Sequence, residues 1–475
     1  MISGSQKLRK DSFVSPHFVL DLTELMTTFI IFLLLHLCFL LKSGEAQVRK
    51  DLITNAAEKT LNGFDENTLF SPYTKQEWRS YQDKKINEGR KTQLNFIITY
   101  PNKTAVKGAK LHIKQLTSDF HWGCGMTHRI INNPAYKKWF ASKFTAADFH
   151  NELKWYYTEP QPGQENYTDP DTMLKFADEH GIIVRGHTVL WDDVKYQQKW
   201  VKKLSPKKLL QAANKRVDSV VKRYKGRLVG WDVMNENLHH NFFEKRLGKN
   251  ASAIFYNRVY NIDPNTTLYM NEFNTTEHVN DKWAAPEKYL RRLKKIRAYP
   301  GNNGMKMGIG LQCHYGAKPI DLHYVRNSLS LLSQVGLPIW LTELDVKMDP
   351  ALENKSQLQV IYLEEILRES FSHASVKAII IWTGASIDGC DVMCMTNEKL
   401  ENTPVGDLID RLMEEWKTGN TEVVSDSNGI SKVSMFNGRY EVTVVDPFTN
   451  VSSRVTFKVD KVSLPDENVH LQILV

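Results

Sequence analysis

Metal-binding signatures are missing from this chain. Its 475 residues include only five cysteines, with neither a Cys-x-x-Cys pair nor a His-Glu-x-x-His helix. Zinc ribbons and zinc proteases are therefore excluded, and no metal or cofactor is expected. No glycine-rich phosphate loop follows the first strand candidate, which argues against a doubly wound nucleotide-binding sheet. Basic residues exceed acidic ones, giving a formal charge of +8, yet no run of them reads as a nucleic-acid arm. RRLKKIR (Arg291 to Arg297) falls within a helical pattern and reads as a solvated helix face. A hydrophobic fraction of 41% and an aromatic fraction of 11% belong to a globular chain, not a disordered one.

Long apolar runs are scarce as well. The outstanding one, Met26 to Leu41 (MTTFIIFLLLHLCFLL), falls short of the ~20 residues that a membrane-spanning helix needs. It suits the core of a secretory signal, and the small residues Gly44 and Ala46 suggest cleavage after Ala46. The basic lead from Lys7 to Lys10 lies far upstream, which leaves open a retained type II anchor or a start at Met26. A membrane contact is expected only if residues 1–46 are kept. N-x-S/T acceptors occur at Asn102, Asn166, Asn250, Asn265, Asn274, Asn354 and Asn450. Cys390 and Cys394 can pair in an oxidising compartment, whereas Cys124 and Cys313 read as buried thiols.

What is present is a long alternation of strand and helix patterns. Eight strand candidates can be placed: HWGCGM, FTAADF, GIIVRGHTV, RLVGWDVM, TLYMNEF, MGIGLQC, PIWLTELDV and VKAIIIW. Between them lie amphipathic stretches such as PKKLLQAANKRVDSVVKRYKG, with Leu210, Ala213, Val217, Val220 and Tyr224 three or four apart and Gly226 as the stop. Eight such units predict an α/β fold with a closed (β/α)8 TIM barrel over residues 118–416. Ahead of it, residues 47–117 carry two strand candidates, QLNFIITY and AKLHIKQL. After Trp416 the period changes to two in RYEVTVV, VTFKV and VHLQILV, predicting a small antiparallel β domain over 417–475.

Two glutamates end apolar strand runs: Glu236 in RLVGWDVMNEN and Glu343 in LPIWLTELDV. A parallel barrel displays its working groups at the carboxyl ends of its strands. Two carboxyls across one cleft are the minimal equipment for cleaving a glycosidic bond. WDVMNEN (Trp231 to Asn237) resembles the acid/base motif of glycoside hydrolase family 10, the endo-1,4-β-xylanases, and LTELDV (Leu341 to Val346) resembles its nucleophile motif. HNELKW, RGHTVLW, MNEFN, GIGLQCH and IIIWTG match in the same order, closest to the land-plant branch.

The resemblance implies a retaining endo-xylanase that works as a monomer in the cell wall, with xylan or xylo-oligosaccharide as substrate. It assigns Glu236 as proton donor and Glu343 as nucleophile. His314 and Asp345 would orient Glu343, Asn235 would bond the sugar 2-hydroxyl, and Gln312 would contact Glu236. Asn151, Lys154, His187, Trp191 and Trp382 map onto the substrate-binding shell. Arg185 reads as a barrel stabiliser, and His239 and His240 as loop lining. Five residues depart from the family pattern: His150 where relatives carry Glu, Asp192 and Asp193 after Trp191, and Ala385 and Ser386 where a second aromatic is usual. Xylan endotransglycosylation and a non-catalytic xylan-binding barrel are the competing readings, and the altered shell leaves preferred chain length and side-chain tolerance open.

Overall fold

Alternation of buried runs and amphipathic helices closes the sheet. In this computed structural model, residues 75–316, 319–390 and 392–460 and the backbone of 467–472 are described, all within the compact unit Leu69–Val475. The barrel strands are β3 (His121–Met126), β4 (Ala146–Phe149), β5 (Ile183–Gly186), β7 (Gly230–Asp232), β9 (Thr267–Glu272), β10 (Met307–Leu311), β12 (Ile339–Val346) and β13 (Val376–Ile381). Each pairs in parallel with the next, and β13 returns to β3. Three short segments extend the rim: β6 (Leu190–Trp191) pairs with β8 (Met234–Asn235), and β11 (His314–Tyr315) pairs with the end of β12.

Inside the barrel the large side chains are matched to glycines. The Tyr269 ring lies where a Cβ on either Gly230 or Gly308 would overlap it. Arg185 is fully buried there, donating to Asp148 and Asp232 with its guanidinium 4.7 Å from the Tyr269 ring centre. Its charge is thus matched within the barrel, as a buried cation requires.

The outer helices follow the apolar stripes with one shift of face. In Pro206–Tyr224 the buried positions are Leu209, Ala213, Arg216, Val217, Val220, Val221 and Tyr224, while Leu210 is 40% exposed. Periodicity places Leu209 and Leu210 equally well. The decision falls to Arg216, whose donors reach the carbonyls of Leu153, Thr188 and Val189 and turn that face inward.

The strands flanking the barrel form one module. It contains β1 (Lys91–Thr99), β2 (Lys110–Ser118), β14 (Asn420–Val424), β15 (Ile430–Phe436), β16 (Gly438–Val445), β17 (Ser452–Val459) and β18 (Glu467–Gln472). Their order is β15-β1-β18 in one sheet and β14-β2-β16-β17 in the other, so each sheet mixes strands from before and after the barrel. All pairings are antiparallel except β1 with β18. Leu94, Phe96, Ile98, Leu111, Ile113, Met435, Tyr440, Val442 and Val444 share one apolar core between the sheets. The sequence suggested an extension and a separate domain; packing makes them one body, because neither set of strands can bury its apolar face alone.

A helix with no counterpart in the sequence reading, Lys75–Arg90, leads into β1 and docks on the barrel. Its Trp78 indole donates to Glu369 at 2.9 Å, and Arg90 donates to the carbonyls of Phe371, His373 and Val376. Trp416 stacks on Phe371 at 4.0 Å beside this junction. Cys390 and Cys394 are joined, and Cys124 and Cys313 are free and buried. Among the described residues, no helix is long and apolar enough to cross a membrane. The apolar stretch Met26 to Leu41 lies outside them.

Candidate active site

Glu343 lies within β12, not at its end, because β11 prolongs the pairing by setting His314 opposite Asp345. Its carboxyl is buried and meets positive and hydrogen-bonding groups. Oε1 accepts from Asn271 Nδ2 at 2.7 Å, and Oε2 lies 3.4 Å from His314 Nε2. His314 Nδ1 is 2.9 Å from Asp345 Oδ2, so the imidazole is held at both nitrogens. Burial lowers its proton affinity, but the Asp345 and Glu343 contacts outweigh this and raise its pKa well above the ordinary histidine value. For Glu343, burial pushes upward, yet His187, His314 and Lys154 together hold the carboxyl down at about 2. It is an anion at any ordinary pH.

Glu236 follows β8 in the left-handed region, φ 59°, a conformation a glutamate adopts only when its surroundings fix it. Two bonds do so: its N–H donates to the Asn271 carbonyl at 3.0 Å, and its own carbonyl accepts from the His240 N–H at 3.0 Å. The side chain meets neutral donors. Trp191 Nε1 donates to Oε2 at 2.7 Å and Gln312 Nε2 donates to Oε1 at 3.0 Å. Burial dominates here and, helped by the negative charges of Glu272 and Glu343, pushes the carboxyl up to about 7 despite those two bonds. Neutral donors contribute ~0.5–1.5 kcal/mol each against ~1.5–3 for charged ones, and that difference separates the two carboxyls.

Asn271, at the end of β9, joins both halves. Its amide nitrogen donates to Glu343 and, at 2.9 Å, to Asn235 Oδ1, while Thr342 Oγ1 donates to its side-chain oxygen at 2.6 Å. One strand end thus fixes the nucleophile-like carboxylate through a side chain and the acid-like carboxyl through the backbone. An ionised and a protonated carboxyl in one cleft can attack and protonate in a single step. Among the described residues, Asp193, Glu236 and His240 place lone-pair atoms within 4.8 Å of one another. The Trp191 N–H already occupies Glu236 Oε2, an arrangement that holds a carboxyl rather than a cation.

A family model for glycosyl hydrolase family 10 matches residues 112–388. The chain is 45% identical over 414 residues to endo-1,4-beta-xylanase 5-like from Arabidopsis thaliana, covering 86% of this chain and 71% of that one. It is 41% identical over 421 residues to endo-1,4-beta-xylanase 4 of the same plant, covering 86% and 72%. The chain belongs to glycosyl hydrolase family 10. Its fold matches the crystal structure of xylanase 10B from Thermotoga petrophila in complex with xylobiose, with a TM-score of 0.55 at 21% identity, over 62% of this chain and 94% of that one.

The residues expected to bind substrate contact one another. Lys154 is buried with its ammonium 4.8 Å from the Trp191 ring centre and 5.1 Å from that of Trp382. Asn151 Oδ1 accepts from Lys154 Nζ at 3.2 Å and from the Tyr156 hydroxyl at 2.8 Å. His187 Nδ1 lies 2.9 Å from Asp232 Oδ2, and its ring meets Trp382 edge-on at 5.8 Å. Trp191 stacks on Tyr196 at 3.8 Å, so its ring is braced while its N–H serves Glu236.

The departures from the family pattern have visible roles. His150 packs 4.3 Å from the Trp382 ring and is lowered to about 4, chiefly by burial and then by Lys154. It is neutral, accepting from Asn151 Nδ2 at 2.8 Å through Nδ1 and facing Thr383 Oγ1 at 3.2 Å through Nε2. Asp192 accepts from the Phe243 N–H at 2.8 Å at the start of the helix Phe242–Leu247, and burial raises it to about 7. Asp193 caps the turn Val194–Tyr196. Ala385 is fully buried and Ser386 opens the turn Ser386–Asp388, so neither presents a ring.

Sequence reasoning passed over two residues and misread a third. Asn271 and Glu272 sit in the quoted segment MNEFN, where two polar residues interrupt the buried strand TLYM; that interruption was the available signal. Glu272, fully buried, accepts from the Leu238 N–H at 2.8 Å and meets His239 Nδ1 at 2.7 Å. His239 also reaches Asp281 Oδ2 at 2.9 Å and stacks on Phe273 at 3.9 Å. Burial works against its charge, but Glu272 and Asp281 raise it to about 9, so it is a structural cation and not loop lining.

Proposed function

We propose that this protein is an extracellular endo-1,4-β-xylanase that cleaves internal bonds of wall xylan with retention of configuration. The observation that carries the reading is the opposite charge state of its two cleft carboxyls, Glu343 held at about 2 and Glu236 raised to about 7. Ionised Glu343 attacks the anomeric carbon as the bond to the leaving oxygen breaks, and Glu236 gives that oxygen its proton. Glu236 then takes a proton from water, whose oxygen displaces Glu343 and restores the starting configuration. In this reading Asn235, held by Asn271, bonds the sugar 2-hydroxyl, and the Lys154, Asn151 and His187 side receives the glycone. Names of the Arabidopsis relatives support xylan as the substrate. The Met26–Leu41 segment and the Cys390–Cys394 bond support secretion.

Xylohexaose hydrolysis followed by NMR tests this directly. The β-anomer should appear first. An initial α-anomer would overturn retention, and release no faster than from Glu343→Ala would overturn the enzymatic reading in favour of a binding barrel. Products longer than six sugars would move the assignment to a transglycosylase.

A further inference from the structure

The loop after β8 brings a histidine to the acid/base carboxyl in a position no family motif assigns. His240 Nε2 lies 3.6 Å from Glu236 Oε2 and 3.6 Å from Asp193 Oδ2. Neither distance is a hydrogen bond, and a single N–H cannot serve both acceptors at once. The main chain fixes where the ring starts, through the His240 N–H bond to the Glu236 carbonyl. The ring is half-buried, and a shift of roughly a few tenths of an ångström would make either bond.

The acid/base cycle gives this equidistance a use. Glu236 is neutral before bond cleavage and anionic afterwards, so its demand for a donor changes at each half-reaction. Its other facing groups do not move with that demand. Trp191 and Gln312 are neutral fixed donors, Glu272 and Glu343 are acidic, and the Lys154 ammonium is held over the Trp191 and Trp382 rings. Facing His240 itself are Asp193, Glu236 and, at 6.5 Å, the Phe273 ring, with the His239 cation beside it at 6.4 Å.

We infer that His240 is a positioning residue that alternates its Nε2–H between Asp193, while Glu236 holds its proton, and Glu236, once that proton has left. Asp193 is then the resting partner that keeps the donor near without bonding the acid. The inference rests on Glu236 being the acid/base, and it gives the unusual Asp193 a task in the cycle.

The test is the pH dependence of kcat/KM on xylohexaose, whose poor leaving group makes the alkaline limb report Glu236. Loss of the donor in His240→Leu should move that limb to higher pH by roughly 0.5–1 unit. Asp193→Asn leaves only a weaker, neutral acceptor as the resting partner and should move it lower. In a His240→Leu background the same Asp193→Asn change should have little further effect. His240→Ala with a thermal melt separates local from global damage. An unmoved limb in both folded histidine variants overturns the inference. So does an equal Asp193→Asn shift in both backgrounds, which would be a plain field effect. Glu236→Ala is the control for the underlying reading: if it keeps the alkaline limb, the acid/base assignment fails, and not only the role of His240.

Discussion

Glu343 and Glu236 are the same side chain on two sides of one cleft, both buried and both hydrogen-bonded, yet one is ionised and the other holds its proton. On the Glu343 side the backbone is extended, with a register shift between Leu341 and Leu344, and His187, His314 and Lys154 hold the carboxyl down, His314 itself pinned by Asp345. On the Glu236 side the backbone is left-handed, the direct donors are neutral, and buried Glu272 adds negative potential. Burial alone would protonate both. What divides them is whether the compensating donor is charged. In the proposed reaction the sugar meets a carboxylate that stays ionised on one wall and a carboxyl that can give up its proton on the other.

Removing each carboxyl breaks the comparison most sharply. Glu343→Ala should abolish turnover of xylan and activated aryl β-xylobiosides alike, on the order of 10⁴-fold or more; residual turnover of the aryl substrate above background would displace it as nucleophile. Glu236→Ala should cost roughly 10²–10⁴-fold on xylan but spare the first step on aryl substrates, so mass spectrometry should find a covalent glycosyl-enzyme. Equal losses on both substrates would contradict the division.

Smaller changes should move one wall without the other. In His314→Gln the cation that holds Glu343 down is gone, so its carboxyl rises and the acid limb of kcat/KM shifts to higher pH by roughly one unit or more. The alkaline limb, which belongs to the Glu236 side near pH 7, should move less. Asp192→Asn should touch stability and hardly touch rate. Asp192 is raised from 3.8 to about 7 in the folded chain, so the native state binds its proton more tightly than the unfolded state does. Stability from this group therefore falls as pH rises from 4 towards 7 and then levels off. The asparagine variant should show a flatter thermal midpoint across that window, and an unchanged slope would mean Asp192 is not protonated.

The sequence made the barrel and the carboxyl pair readable because both depend on local pattern, apolar runs that end in polar residues. Strand ends were less legible. Whether β12 stops at Glu343 or continues to Val346 is decided by pairing with His314 and Tyr315, 31 residues earlier in the chain than their partners. Asn271 hid for a related reason: its three partners, Asn235, Thr342 and Glu343, come from two other strands, and no spacing within its own strand announces them. His240 looked like one more polar loop residue because its meaning depends on Asp193, just beyond the neighbouring rim strand β6.

The mixed sheets outside the barrel carry a consequence for how the molecule is made. β1 and β2 leave the ribosome before the barrel, but their partners β14 to β18 are encoded after the last barrel helix, Pro404–Glu415. Until those later strands emerge, Phe96, Ile98, Leu111 and Ile113 lack the neighbours that complete their core. The barrel is therefore made while the strands ahead of it wait, and the strands made after it fasten those made before.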